Sequence, residues 1–131
     1  KVKDITFSGS VPNEEAWQYY LSADIFVLPN RGGQAEGWGL VINEAASMSL
    51  PIVTADVACA VDHLVEDGRN GYVIHPGDVA ALRSALAKLL FDKDRRERMG
   101  KESRKLFEKM NDYSKMNNEF NRAIQYVIEK K

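Results

Sequence analysis

Ile25-Phe26-Val27-Leu28-Pro29-Asn30-Arg31-Gly32-Gly33-Gln34-Ala35-Glu36-Gly37-Trp38-Gly39-Leu40-Val41-Ile42-Asn43-Glu44-Ala45 is the stretch that decides how this chain folds. Its first four residues are continuously apolar. That pattern suits a strand covered on both faces rather than one facing water. Pro29 stops the strand, a glycine-rich loop follows, and a helix is predicted from near Gly39 to before Pro51.

Working outward, four runs read as strands: Ile5–Ser8, Asp24–Leu28, Ile52–Ala55 and Tyr72–Ile74. Roughly twenty residues separate successive runs, enough for a helical crossover and too many for a hairpin. Before the second run, Asn13 is a candidate helix cap, with Glu14 and Glu15 in the first turn and Trp17, Tyr20 and Leu21 on one face. A short third helix is predicted over Val61–Glu66, stopped by Asp67-Gly68. Alternating strands and helices imply a parallel sheet with right-handed crossovers.

After Pro76-Gly77 the period becomes purely helical. Asp78 is a predicted N-cap, and Val79, Leu82, Leu86, Leu89 and Leu90 form a stripe. Asp92–Met110 is highly charged, and Met116, Phe120, Ile124, Val127 and Ile128 mark a last amphipathic helix. The expected fold class is therefore α/β: a Rossmann-like parallel sheet of about four strands over residues 1–77, followed by C-terminal helices over residues 78–131.

Composition bounds the function. The chain has 131 residues, 44% hydrophobic and 28% charged, with a formal net charge of −1. That balance suits one globular unit and offers no basic excess for nucleic acid. Cys59 is the single cysteine, so no internal disulfide forms, and a reducing, cytoplasmic compartment is the simplest reading. No apolar run approaches the roughly 20 residues that cross a bilayer. The opening Lys1-Val2-Lys3, without an initiator Met, reads as part of a longer protein.

The candidate site lies where the loop meets the second helix. In an open parallel sheet, ligands sit beyond the carboxyl ends of the strands. The first N–H groups of a helix lack internal partners and carry partial positive charge, which favours an anion. Gly37 and Gly39 let a phosphate approach the backbone. Glu36 is placed to accept hydrogen bonds from sugar hydroxyls, and Glu44 from ribose hydroxyls. A pyrophosphate bracketed by two such carboxylates describes a nucleotide-sugar. Each acid also has a plainer reading, Glu44 as a partner of the helix dipole and Glu36 as an ordinary loop carboxylate.

Glu36 and Glu44, with seven residues between them, resemble the paired-glutamate motif of the retaining GT-B glycosyltransferases of the glycosyl transferases group 1 type. Ala23–Pro29, Pro51–Ala55, Glu66–Val73 and Pro76-Gly77-Asp78 resemble that family's neighbouring segments, in the family's order. The resemblance implies part of the C-terminal, donor-binding domain. It assigns Glu36 to the donor sugar as the catalytic position, the backbone of Gly37, Trp38, Gly39 and Leu40 to the diphosphate, and Glu44 to the ribose. It further implies a UDP- or GDP-linked donor, a glycan, lipid-linked or small-molecule acceptor, no bound metal, and work in the cytoplasm or peripherally at the inner face of the membrane.

This sequence also departs from the family. Trp38 stands where Phe is commoner. Ala58 and Val61 replace the Gly and Pro of a loop over Val57–Asp62. Two earlier strand–helix units and a whole preceding N-terminal domain have no counterpart here. Ile5–Ser8 must then pair directly with Asp24–Leu28, or edges stay exposed and invite a homo-oligomer or domain swap. The competing functional readings are a non-catalytic subunit or split half that needs a partner chain, and another doubly wound enzyme such as a dehydrogenase. Against the dehydrogenase, no Gly-x-Gly-x-x-Gly turn follows a strand. Against a hydrolytic triad, neither His63 nor His75 has a Ser, Cys or Asp partner at an interpretable spacing.

Overall fold

The computed structural model describes residues 4–31, 38–57 and 59–130. Glu36 and Gly37 lie outside these. The elements run α1 Asn13–Ser22, β1 Phe26–Leu28, α2 Leu40–Ser47, β2 Ile52–Ala55, α3 Cys59–Leu64, β3 Gly71–Ile74, α4 Val79–Leu90, α5 Lys93–Met110 and α6 Tyr113–Glu129. The sheet order is β1-β2-β3, all parallel, with Phe26 opposite Ile52 and Ile52 opposite Gly71.

All four residues of β2 are buried, as a central parallel strand requires. Successive side chains point to opposite faces, so each face needs its own cover. On one face, Ile52, Phe26, Leu28 and Val73 pack with Ile42, Ala45 and Ala46 of α2 and Ala60, Val61 and Leu64 of α3. On the other, Val53, Ile25, Val27 and Tyr72 pack with Ala85, Leu89 and Leu82 of α4 and Met99 of α5. Small residues at Ala45, Ala46 and Ala60 let the helices sit close to the sheet.

α5 seals the first face through one close approach. A Cβ built on Gly100 would lie 2.0 Å from the carbonyl oxygen of Ser49, just after α2. Ser49 itself has φ 58°. Arg104 Nη1 donates to the Ser47 carbonyl at 2.5 Å, satisfying the end of α2. Arg96 does the same for α4, donating to Leu89 and Leu90 carbonyls at 2.7 and 3.0 Å. Arg95 donates to Tyr72 Oη at 3.2 Å. Arg95 and Arg96, in the highly charged Asp92–Met110 segment, are therefore tied into the fold.

The segment Glu66–Gly71 has a structural explanation. Asn70 is fully buried. Its Nδ2 donates to the Leu64 carbonyl at 2.8 Å and to Ser103 Oγ at 3.2 Å, and its Oδ1 accepts from Glu66 N at 2.7 Å. Ser103 Oγ donates back to the Asn70 carbonyl at 3.2 Å. This network fastens the end of α3 and the start of β3 to α5, and every polar atom in it has a partner. Gly71 must be glycine, because a Cβ there would stand 1.9 Å from the Ile52 carbonyl oxygen.

Several expectations are corrected. Residues Ile5–Ser8 form no strand, and Phe7 is 91% exposed. The described sheet has three strands, and the outer edge of β1 has no partner strand among the described residues. A lone apolar run cannot form a strand without a neighbour to bond. Pro12, not Asn13, caps α1, with no side-chain hydrogen bond. β1 begins at Phe26, two residues after Asp24. α3 begins at Cys59, so part of the expected Val57–Asp62 loop is helix, and it ends at Leu64 rather than Glu66. Asp78 caps α4 as predicted, accepting from Ala81 N at 2.8 Å. The stripe on α6 is exposed along its whole length, as are Val79, Leu90 and Phe91 at the open face of α4.

Gly100→Ala should destabilise the protein. Alanine favours a helix interior over glycine by about 1 kcal/mol, but overpacking against the Ser49 carbonyl costs about 1–3 kcal/mol. Denaturant unfolding checks the sign: a lowered midpoint is expected, and a raised one contradicts the close approach.

Candidate functional site

The loop after β1 and the first turn of α2 meet at the carboxyl end of the sheet. Gly39 takes a left-handed conformation (φ 80°, ψ 59°) immediately before α2. That conformation is strained for any residue with a side chain, so glycine is required by the turn itself. No described side chain caps this helix start. Ile42 N bonds to the Gly39 carbonyl at 2.9 Å, which begins the helical ladder and leaves the preceding amides outside it. Leu40 is 67% exposed, so the first turn opens to solvent.

Glu44 stands one turn beyond Leu40 on the same, exposed face, while Ile42, Ala45 and Ala46 bury the opposite face. The spacing of four residues makes these two positions neighbours on one side of the helix. The carboxylate is held in place: Tyr20 Oη donates to Glu44 Oε2 at 2.7 Å. Tyr20 comes from the end of α1, and its ring packs against Phe26 with centroids 5.9 Å apart. Burial, reinforced by the hydrogen bond and charge of Glu44, pushes the Tyr20 hydroxyl well above the usual tyrosine range. It therefore stays protonated and donating throughout the physiological range.

Trp38 is anchored from α3. Its carbonyl accepts from Ala60 N at 2.9 Å. Its indole stacks on the His63 ring, with centroids 5.5 Å apart and planes 19° from parallel. His63 is thus a packing partner of the loop's last described turn. Cys59 opens α3 and is exposed. Arg31, the cation of the loop, lies against a different space, a cleft of about 440 Å³ between Pro29, Ile74 and the start of α4 at Asp78. Asn43 Oδ1 is buried with no hydrogen-bond partner among the described residues. No group of three or more metal-ligating side chains occurs among the described residues.

Of the predicted site residues, the structure places Trp38, Gly39 and Leu40 at the start of α2 and Glu44 one turn along it. Glu36 and Gly37 lie outside the described residues, as do Gly32 and Gly33. Sequence reasoning missed the role of Tyr20, which it placed only on the apolar face of α1. The hydrogen bond spans 24 residues, and only the packing of α1 beside α2 creates it.

The sequence profile of the glycosyl transferases group 1 family matches residues 2–106. The chain belongs to this family. It is 39% identical over 105 residues to the sulfoquinovosyl transferase SQD2 of Arabidopsis thaliana, covering 79% of this chain and 20% of that protein. It is 32% identical over 100 residues to the GDP-mannose-dependent alpha-(1-6)-phosphatidylinositol monomannoside mannosyltransferase of Mycobacterium tuberculosis, covering 73% of this chain and 26% of that protein. The chain thus spans about a fifth to a quarter of these relatives. Among solved structures, it superposes on sucrose-phosphate synthase from Thermosynechococcus elongatus with a TM-score of 0.78 at 23% identity, over 96% of this chain and 31% of that one. It superposes on Anabaena HepE in complex with UDP with a TM-score of 0.72 at 22% identity, over 83% of this chain and 29% of that one. The fold is that of part of a GT-B C-terminal domain.

The Tyr20–Glu44 contact predicts alkaline behaviour. The folded-state pKa of Tyr20 is raised, so its stabilising contribution is complete below the ordinary tyrosine value near 10. It is lost as pH rises above that value toward the folded one, because the unfolded chain releases the proton first. Ultraviolet titration should show one tyrosine ionising later than the other four of the five, and Glu44→Gln should bring it closer to them. Uniform titration of all five contradicts the contact.

Proposed function

We propose that this chain supplies donor-binding elements to a retaining glycosyltransferase that moves a sugar from a UDP- or GDP-linked donor to an acceptor. One observation carries the reading: an open first turn at α2 that no described side chain caps, and the exposed Glu44 carboxylate one turn along on the same face. The amides of that turn would hold the diphosphate, and Glu44 the ribose. Glu36, preceding the turn in sequence, would meet the donor sugar. The chemical barrier lies in negative charge on the leaving diphosphate and positive charge on an oxocarbenium-like sugar. Preorganised N–H donors stabilise the first, and a carboxylate stabilises the second.

The relatives support glycolipid or polysaccharide synthesis as the setting, with a glycan, lipid-linked or small-molecule acceptor. HepE is solved with UDP and with UDP-glucose, and the Mycobacterium tuberculosis relative is GDP-mannose-dependent, so both nucleotide classes belong to the proposal. The reading includes transfer without a bound metal, which activity in excess EDTA would check. It also includes a cytoplasmic setting, peripheral to the membrane. No helix among the described residues is long and apolar enough to cross one. A separate N-terminal domain would bind the acceptor, so the 131-residue chain by itself should show little or no transfer. The second reading is a non-catalytic subunit or split half working with a partner chain. The open edge of β1 favours it, and the same edge favours self-association. Sedimentation should show a species above the monomer at high concentration; strict monomer contradicts that part.

A ligand-observed binding panel of UDP- and GDP-sugars tests the site. One nucleotide class should bind saturably. Glu44→Ala should weaken it about ten-fold or more, the cost of losing hydrogen bonds to a charged acceptor, and Glu36→Ala should weaken the sugar-bearing donor more than the bare diphosphate. Equal binding by wild type and Glu44→Ala overturns the site.

A further inference from the structure

We infer that Tyr20 is a positioning residue for nucleotide binding: its hydroxyl fixes one oxygen of Glu44 so that the other faces the ribose. The inference deepens the proposed site and rests on it. Glu44 is exposed on α2, and a glutamate there has three rotatable bonds and no intrinsic reason to hold one orientation. The Tyr20 Oη–Glu44 Oε2 bond of 2.7 Å removes that freedom. No other described side chain donates to Glu44; its backbone carbonyl accepts from Ser47 Oγ at 2.7 Å, which leaves the carboxylate to Tyr20.

Tyr20 is itself held. Its ring joins the cluster around Ile42 and Leu50 and tilts against Phe26 at 44°. The donor is therefore a rigid, half-buried phenol rather than another flexible surface chain. Burial raises its pKa, so it stays protonated and donating at neutral pH. Each carboxylate oxygen accepts about two hydrogen bonds. With Oε2 taking one from Tyr20, Oε1 keeps its full capacity for the ribose 2′-hydroxyl. Preorganisation of this kind raises affinity by reducing the ordering cost of binding.

The same contact has a plainer possibility, a tether between α1 and α2 with no part in recognition. The two differ in what a missing ribose hydroxyl does. The experiment measures dissociation constants of UDP, GDP and their 2′-deoxy counterparts by ligand-observed NMR, for the wild-type chain, Tyr20→Phe and Glu44→Ala. The pair that binds the wild type more tightly is followed. Tyr20→Phe should weaken the ribonucleotide about three- to ten-fold, the scale of one hydrogen bond. It should leave the 2′-deoxy form within about two-fold, since the lost interaction with Glu44 is already absent there. Thermal unfolding of Tyr20→Phe, run alongside, confirms that the variant is folded at the temperature used. Parallel weakening of both nucleotides, or no weakening of either, overturns the positioning role. If Glu44→Ala also binds like the wild type, or if neither nucleotide binds the wild type saturably, the underlying site fails, and Tyr20 with it.

Discussion

A parallel strand buried on both faces organises this molecule. β2 cannot satisfy its backbone or cover its side chains alone, so it needs a strand on each side and helices above and below. Parallel pairing then forces each connection back across a face of the sheet, which sends α2 and α3 to one side and α4 to the other. All three strands consequently end at the same edge. The loop between β1 and α2 starts at that edge, and this alone places a helix N-terminus where a ligand can reach it. The position of the candidate site is a by-product of strand direction before any particular side chain is considered.

What keeps α2 in place is shape and a few buried polar contacts more than charge. Its inner face offers Ile42, Ala45 and Ala46 to the sheet, and its far end is closed by Gly100 against Ser49 and by Arg104 on Ser47. The Asn70–Ser103 pair fixes the neighbouring turn without a formal charge. The ion pairs are mostly exposed, such as Lys93–Glu97 and Arg122–Glu119, and pairs of that kind contribute little. The rigid end of α2 thus contrasts with its open beginning. The named packing and hydrogen-bond contacts are concentrated away from that opening turn.

Much of this was legible in the sequence, for physical reasons. The continuous run Ile25–Leu28 announced a strand packed on both faces, which the structure gives as partial burial at the sheet edge, and Asp78 announced a helix start, because both signals depend on neighbours a few residues away. Gly39 was read as room for a phosphate. The structure adds that the backbone turn itself demands glycine. The Ile5–Ser8 reading failed because a strand is a property of a pair, and an apolar run carries no record of whether its partner is present. The Tyr20–Glu44 and Trp38–His63 contacts were invisible for a related reason: each joins elements brought together only by crossover packing. The contacts of Arg95 and Arg96 were not legible either, because their carbonyl and phenol partners carry no sequence signature.

The central claim is that the amides opening α2 receive a diphosphate. Backbone amide resonances followed by ¹⁵N–¹H correlation spectra during UDP and GDP titrations test it most directly, with the free nucleosides as controls. The account predicts saturable shifts at Trp38, Gly39 and Leu40 with a diphosphate, and much smaller ones with the nucleoside. Shifts confined to other parts of the chain, or shifts that the nucleoside reproduces in full, would contradict it.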